Sequence, residues 1–135
     1  MAPSAPVHVV CGLIFHEGHV LATRRDPRRA LPLFWEFPGG KLEQGESPEE
    51  ALHRELEEEL MLRVRINRAL GPVTHRDESG HIRLIPFHCT VDQPFAPVPL
   101  DHGEIRWVRL EEARQLTWAP ADIPLVDQLE DLFQS

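Results

Sequence analysis

Short apolar runs separated by turn residues dominate the first third of the chain. Residues 6–15 (PVHVVCGLIF) are rich in β-branched and apolar side chains, which predicts a buried strand. A glutamate–glycine pair then predicts a hairpin turn into a return strand over residues 19–23. A polar, proline-bounded loop over 26–32 separates this hairpin from a short third strand over 33–37.

The second half of the chain is also dominated by strands. Its runs alternate imperfectly between apolar and polar positions, and Pro86 inside one of them predicts an edge strand or a bulge. A proline-rich loop over 92–103 interrupts the pattern. The predicted elements are strands over 62–70 (continuing toward residue 75), 81–91 and 104–109, a short helix over 110–116, and a helix over 122–133 with Asp122 as its cap and Val126, Leu129, Leu132 and Phe133 as its apolar face.

Between these halves, residues 48–60 have the period of an amphipathic helix. Ser47 at the cap, Pro48 at the first helical position and Glu50 three residues after the cap form a capping box. A leucine at every fourth position predicts the buried face. That apolar stripe consists of Leu52, Leu56 and Leu60.

The same helix is crowded with acid. Glu55, Glu58 and Glu59 share one face by steps of three and four, whereas Glu57 lies off that face. Like charges at these spacings repel, and the C-terminal end of a helix dipole is itself negative. A hard divalent cation with oxygen ligands would offset this repulsion, although a solvated acidic face explains the spacing equally well.

Two glycines in front of the helix favour the functional interpretation. A turn at Gly39 and Gly40 would let the backbone approach a ligand closely. From Gly40 onward the chain resembles the signature of the Nudix hydrolases. The matching positions are Gly40, Glu46, Arg54, Glu55, Leu56, Glu58, Glu59 and Leu62.

One position departs from that signature, because Met61 stands where the family usually has glycine. A left-handed exit from the helix at a non-glycine residue costs about 1 kcal/mol or more. We therefore expect either a strained exit at Met61 or a different path for the chain.

The resemblance implies the Nudix fold over a single domain, residues 1–135. This is an α+β fold, an α/β/α sandwich in which a curved mixed sheet lies between helices. The order of predicted elements, strands and one helix followed by strands and one helix, favours the same architecture.

The resemblance also implies a metal-dependent hydrolysis of a nucleoside diphosphate linked to another group, with Mg²⁺ as cofactor and Mn²⁺ as a substitute. Arg54 would orient the glutamates, and Glu55, followed by Glu58, is the first choice as general base. Glu46 is interpreted as a carboxylate that stabilises the loop. The implied metal ligands are the carbonyl of Gly39 and the side chains of Glu55, Glu58, Glu59 and Asp101.

Asp101 belongs to a second segment, DHGEIRW, which is similar to the family's E-H-x-E-x-x-W. The family has glutamate at this position, and the shorter aspartate would reach a metal only through water. His102 and Glu104 are alternatives, and a polar loop without a site is a third interpretation.

The substrate prediction depends on resemblance to the MutT branch, whose members convert nucleoside triphosphates to a monophosphate and pyrophosphate. Residues 33–41 (LFWEFPGGK) carry this resemblance. The segment APADIPL, which contains Asp122, is similar to the corresponding segment of CTP and 5-methyl-dCTP pyrophosphohydrolases. MutT-type 8-oxo-dGTP hydrolases carry asparagine at the position of Asp122. A carboxylate accepts from cytosine N4, and a protonated one could donate to a purine carbonyl. Asp122 as a plain helix cap remains an equal alternative.

Neighbouring residues complete the predicted substrate site. Phe37 could stack on the base or lie in the core. Arg25 fits the branch better than Arg24, and adjacent strand residues point to opposite faces, so only one of the two can contact the substrate. The predicted substrate-binding residues are Arg25, Phe37, Gly40, Lys41 and Asp122.

Composition limits the partners. With 22 acidic and 14 basic residues the net charge is −8, which argues against binding a nucleic-acid polymer. Cys11 and Cys89 lie in apolar runs and are expected to be reduced, and MAPSAP does not resemble a signal peptide, so a cytoplasmic monomer or homodimer with no membrane partner is expected. Two alternatives remain: a Nudix hydrolase of another nucleoside diphosphate derivative, such as ADP-ribose or a dinucleoside polyphosphate, and a non-catalytic nucleotide-binding module.

Overall fold

The structure is a computed structural model that describes residues 5–25, 34–78, 80–91, 97–98 and 102–134. The side chains of Arg25 and His102 lie outside this description. The strands are β1 (Val7–His16), β2 (His19–Arg25), β3 (Trp35–Glu36), β4 (Gly39–Lys41), β5 (Arg65–Ala69), β6 (Val73–Asp77), β7 (Gly80–Thr90) and β8 (His102–Val108). The helices are α1 (Pro48–Leu60), α2 (Leu110–Ala113), α3 (Ile123–Val126) and α4 (Leu129–Phe133), with a 3-10 turn over Pro120–Asp122.

The described strands form one mixed sheet whose centre is β1. This strand runs parallel to β7 over the long register from Val7–Ile82 to Phe15–Thr90. It pairs in the antiparallel sense with β2 and with β4, and the remaining pairings are antiparallel as well. Because β1 touches three strands, it fixes the position of β4, the strand that enters the candidate site.

Each face of the sheet carries its own apolar core. The leucine stripe of α1 packs with Val10, Ile14 and Phe87 on one face. On the other face, Leu125 and Leu129 from the C-terminal helices pack with Trp35 and Trp118 among others. Helices therefore cover both faces of a mixed sheet, and the predicted α/β/α sandwich of the α+β class is confirmed.

Helix α1 starts and ends as the sequence predicts. The Glu50 amide donates to Ser47 Oγ at 3.1 Å, and the Ser47 amide donates to Glu50 Oε1 at 2.9 Å, which completes the capping box. At the other end Met61 has φ 51° and ψ 39°. The left-handed exit is thus retained without glycine, and Met61 carries the strain predicted for it.

The predicted glycine turn is wrong. Gly39 and Gly40 belong to β4 and pair with Cys11 and Val10 of β1, with no positive φ at either glycine. The glycines are needed for close approach: a Cβ at Gly39 would collide with the carbonyl oxygen of Val10. Small size, and not left-handed backbone, is the property that these positions require.

The predicted edge position of Pro86 is also wrong, because β7 lies inside the sheet. The neighbouring strand breaks beside Pro86: β6 pairs with β7 up to Leu84, and β5 begins at Phe87. Pro86 O accepts from the Leu70 amide at 2.9 Å. A strand residue directs its nitrogen and its carbonyl to the same neighbour, so the missing donor of Pro86 falls where the partner strand changes.

The C-terminal segment is a series of short pieces and not the single predicted helix. A 3-10 turn, α3 and α4 follow one another, with Leu129 and Leu132 buried. Asp122 precedes α3, but its side chain makes no capping hydrogen bond. Asp122 therefore occupies the N-cap position, as predicted, but its carboxylate does not cap the helix and serves a different contact.

Cys11 and Cys89 are buried free thiols, as expected. Burial raises the pKa of both thiols, that of Cys89 to about 12. No helix in the described residues is long and apolar enough to cross a membrane.

Candidate active site

Strand β4 and helix α1 pack together where the backbone of Gly40 faces the carboxyl group of Glu55. A Cβ at Gly40 would collide with all three atoms of that group. The antiparallel pairing of β4 with β1 holds the glycine in place, and the leucine stripe holds the helix. The fold therefore fixes the distance between a backbone and a carboxylate.

The guanidinium of Arg54 organises the acids around this point. It forms a two-pronged pair with Glu46, Nη2 to Oε1 at 2.7 Å and Nε to Oε2 at 3.1 Å. Nη1 donates to Glu55 Oε1 at 3.0 Å and to Glu58 Oε2 at 3.3 Å. It also lies 3.6 Å from Glu43 Oε1. One cation thus links four carboxylates, and the surrounding anions raise the pKa of Arg54 still further.

Glu46 ties this arrangement to the loop before the helix. Besides pairing with Arg54, its Oε1 accepts from the Glu43 amide at 2.8 Å. These hydrogen bonds, the one from Arg54 first, lower the pKa of Glu46. Arg54 Nη2 also donates to the carbonyl of Lys41 at 3.1 Å. The contacts match the interpretation of Glu46 as a loop-stabilising carboxylate.

Glu55 is the most enclosed acid of the group, with a side chain that is 12% exposed. Burial and the nearby Glu59 carboxylate raise the pKa of Glu55, and the contact with Arg54 opposes this only in part. The carboxyl groups of Glu55 and Glu59 therefore lie close together, and the Arg54 guanidinium contacts Glu55. This crowding makes the position suitable for a proton or a second cation.

The oxygen atoms available here suit a hard divalent cation, because they belong to carboxylates and to the neighbouring backbone carbonyl groups of β4. Glu58 is 61% exposed and lies near Arg54, as Glu55 does. Within the described residues, no group of three His, Cys, Asp or Glu side chains is arranged as it stands to hold a metal ion.

Asp122 and Phe37 meet on the opposite face of the sheet. The Phe37 amide donates to Asp122 Oδ2 at 2.8 Å, and Asp122 is 6% exposed. The ring of Phe37 is 3% exposed and stacks on Trp118 at 4.6 Å between centroids. The ring therefore lies in the core, the second of its two interpretations, and only the backbone of Phe37 contacts a polar partner here.

The arginine pair at the end of β2 is described only in part. Arg24 Nη2 pairs with Glu104 Oε1 at 2.6 Å, and Arg106 pairs with Glu104 Oε2 at 3.0 Å. Both guanidiniums lie over the ring of Trp35, at 5.3 and 5.0 Å from its centroid. Glu104 is thus occupied by arginines. The Arg25 side chain and the whole of Asp101 lie outside the described residues, so their roles stay predictions.

Two features of the site were missed by sequence reasoning. Glu43 joins the Arg54 network, and Lys41 contributes its carbonyl in addition to its exposed side chain. The Glu43–Glu46 spacing of three, with Gly45 at φ 87°, indicates a tight turn and could have revealed the first. A backbone carbonyl leaves no signal in the residue types.

Comparison with known proteins defines the class. Residues 5–129 match the NUDIX domain family. The chain belongs to this family and is a Nudix hydrolase, an enzyme class that acts on nucleotide substrates and generally uses divalent metal cations.

Individual relatives agree with that assignment. The chain is 34% identical over 127 residues to a CTP pyrophosphohydrolase of Escherichia coli, covering 90% of this chain and 89% of the relative. It is 46% identical over 124 residues to an 8-oxo-dGTP diphosphatase of Haemophilus influenzae, covering 91% and 90%. The solution structure of the E. coli ORF135 protein superposes with a TM-score of 0.79 at 32% identity, covering 93% of this chain and 89% of that one.

Proposed function

We propose that this enzyme hydrolyses a nucleoside triphosphate to the monophosphate and pyrophosphate with Mg²⁺, and that its base is cytosine or 5-methylcytosine, or else an oxidised guanine. The observation that carries the proposal is the link from Arg54 to Glu46, Glu55 and Glu58 beside the backbone of Gly40. Balancing or cleaning the nucleotide pool of the cytoplasm would be its task.

The net reaction adds one water molecule across the anhydride that joins the α and β phosphorus atoms. Glu55 is the general base: its side chain is enclosed, and burial beside Glu59 raises its pKa, which makes it a better proton acceptor. Glu58, exposed beside it, is the second candidate. Arg54 positions both carboxylates and does not itself contact the reacting atoms.

Glu59, Glu58, Glu55, Asp101 and the carbonyl of Gly39 would hold the divalent cation. When bound, such a cation supplies charge stabilisation at phosphoryl oxygens and lowers the pKa of water. Lys41 is exposed beside the site and would contact the phosphates, as would Arg25 from the end of β2. Gly40 has no side chain, which lets the Glu55 carboxyl group lie against its backbone, and we infer that the substrate contacts this backbone.

Asp122 supports the choice of base. Its carboxylate is fixed by the Phe37 amide, and an ionised carboxylate accepts from the exocyclic amine of cytosine. The relative that acts on CTP favours this base, whereas the relative that acts on 8-oxo-dGTP favours an oxidised purine. Substitution of Asp122 can therefore test the preference for either base.

The decisive experiment is a screen of CTP, dCTP, 5-methyl-dCTP and 8-oxo-dGTP with Mg²⁺, with products separated by anion exchange. We expect pyrophosphate and a monophosphate from one of them. Release of orthophosphate, or turnover of ADP-ribose or a dinucleoside polyphosphate alone, would contradict the proposal, as would tight nucleotide binding without turnover.

An Asp122→Asn variant then tests the base contact. Asparagine can donate as well as accept, so preference should shift from the cytosine nucleotide toward the oxidised purine by about tenfold. Asp127→Asn removes an exposed acid from the same segment and is the matched control. Equal preference in both variants would remove Asp122 from the proposal.

A further inference from the structure

The C-terminal turn of α1 is an unfavourable place for the acids that it carries. Glu58 and Glu59 lie within it, and no basic residue occupies the turn. Helix carbonyls at this end lack partners and present partial negative charge, so they repel carboxylates nearby. Some donor outside the helix is needed to hold the turn in one geometry.

The two residues that follow the helix supply some of these donors. The Met61 amide donates to Glu57 O at 3.0 Å, and the Leu62 amide donates to Leu56 O at 3.2 Å. The carbonyl of Leu60 is satisfied from elsewhere: the Val98 amide donates to it at 2.8 Å. Val98 belongs to the connection between β7 and β8, far from the helix in sequence.

The sequence around Val98 singles out this one donor. Val98 stands between two prolines, Pro97 and Pro99, which have no N–H. Its amide is thus the only main-chain donor in the tripeptide, and it donates to the C-terminal end of α1. Pro97 is buried, whereas Val98 is 43% exposed. The contact with Leu60 is therefore made by the backbone amide of Val98 and does not depend on burial of its side chain.

We propose that Val98 is a positioning residue for the divalent-cation ligands: its amide fixes the last turn of α1 and thereby the spacing of Glu58 and Glu59 from Glu55. The inference rests on the proposed metal-dependent function. It assigns no contact between Val98 and substrate or metal, because the effect passes through the carbonyl of Leu60.

The amide can be removed by Val98→Pro, and Val98→Ala is the matched control that trims the side chain and keeps the N–H. A residue before proline is already restricted to extended conformations, which proline shares, so the substitution is compatible with its surroundings. The measurement is the rise in Tm of the substrate-free protein with increasing MgCl₂, from which the Mg²⁺ affinity follows by mass action.

We expect Val98→Pro to bind Mg²⁺ about tenfold more weakly than wild type, a typical size for coupling between neighbouring sites, and Val98→Ala to bind within about twofold. With a saturating triphosphate that the wild type hydrolyses, kcat should fall at limiting Mg²⁺ and recover at high Mg²⁺, while KM for the nucleotide is unchanged. Equal Mg²⁺ affinity in the two folded variants would overturn the inference and leave the proposed function intact.

Reciprocity gives a second measurement on the wild type, which decides the matter if Val98→Pro does not fold. If the tether favours Mg²⁺ binding, Mg²⁺ must favour the tether to the same extent. Hydrogen exchange of the Val98 amide should therefore slow by about tenfold when Mg²⁺ is added. An unprotected amide, or protection that Mg²⁺ leaves unchanged, would overturn the inference. A wild type that binds no Mg²⁺ at all would overturn the proposed function as well.

Discussion

The two faces of the sheet differ in where they place their charged and polar side chains. The α1 face joins an apolar core to four carboxylates around Arg54, of which Glu43 and Glu58 are exposed and Glu46 and Glu55 are largely enclosed. The opposite face buries polar groups inside its core, namely Asp122 and His88, together with stacked aromatic rings. Charge on the first face is concentrated and accessible, whereas polarity on the second is enclosed and paired.

This difference separates reactivity from stability. Carboxylates crowded at the end of a helix destabilise the free protein but are available to cations. Buried polar groups on the other face are costly to disturb, since each has a specific partner. Substitutions of the acids on the α1 face should therefore affect turnover more than folding, whereas substitution of His88 on the other face should affect folding more than turnover.

The largest effect is expected for Glu59→Gln. Loss of one ligand charge should lower kcat by at least about a hundredfold, because even the outer partners of metal ligands are worth ten- to a hundredfold. The free energy of unfolding should rise by about 0.3 kcal/mol, since one like-charge contact is removed. Steady-state rates and chemical denaturation measure the two quantities. Glu57→Gln, on the exposed side of the helix, is the control, and full activity in Glu59→Gln would refute the metal assignment.

Arg54→Lys should affect both properties. A lysine cannot form the two-pronged pair with Glu46, so we expect the free energy of unfolding to fall. Activity should fall about tenfold as Glu55 and Glu58 lose their orientation. Arg24→Lys, which alters the more exposed pair with Glu104, should cost less than about 0.5 kcal/mol and leave rates near those of wild type. Similar losses in both variants would show that the two-pronged pair of Arg54 with Glu46 contributes no more than the more exposed pair of Arg24 with Glu104.

Met61→Gly should stabilise the protein by about 0.5 kcal/mol. Relief of the left-handed strain is worth about 1 kcal/mol or more, and the added freedom of glycine in the unfolded chain offsets part of it. Met61→Ala keeps the Cβ and should show no gain. Thermal denaturation of the two variants measures the strain directly, and an equal Tm for both would show that the exit is unstrained.

His88 should make stability depend on pH, with a smaller effect. Burial, reinforced by Arg68, lowers the pKa of His88, so the unfolded chain binds more protons between the two pKa values. Stability is complete above the unfolded pKa and falls as pH drops toward the folded pKa. Between about pH 7.5 and about pH 5.5, the Tm of wild type should decline roughly 3 °C more than that of His88→Gln.

His8→Gln, an exposed histidine on β1, provides the comparison for that titration. The Tm of His8→Gln should change with pH as the wild-type Tm does over the same pH range. A His88→Gln profile that is parallel to wild type would mean that His88 does not contribute to the pH dependence.

Local signals made α1 predictable. The capping box, the leucine stripe, the acidic face and the left-handed exit at Met61 all depend on residues a few positions apart. The role of Glu46 followed from the same stretch. Most of the acidic network around Arg54 could thus be predicted; Glu43 was missed although its spacing to Glu46 is a signal, and the carbonyl of Lys41 leaves no signal in the residue types.

Long-range pairings defeated prediction elsewhere. Gly39 and Gly40 were predicted as a turn because their strand partner, β1, is nearly thirty positions away and the pair alone resembles a turn. Asp122 was predicted as a cap because its true donor, the amide of Phe37, lies 85 positions earlier. Pro86 suggested an edge because the break that accommodates it lies in another strand. In each case the deciding partner was remote.

The parallel pairing of β1 with β7 has a consequence for how the chain acquires its structure. Val7 pairs with Ile82, and a contact between such distant positions closes a long loop, which slows folding. During synthesis β1 can pair with β2 and β4 soon after they are made, but its edge facing β7 stays unpaired until β7 has been made. Helix α1, with its own caps, can form in that interval. Helix α1 can therefore form before the sheet that positions it is complete, and chaperone dependence should centre on the unpaired edge of β1.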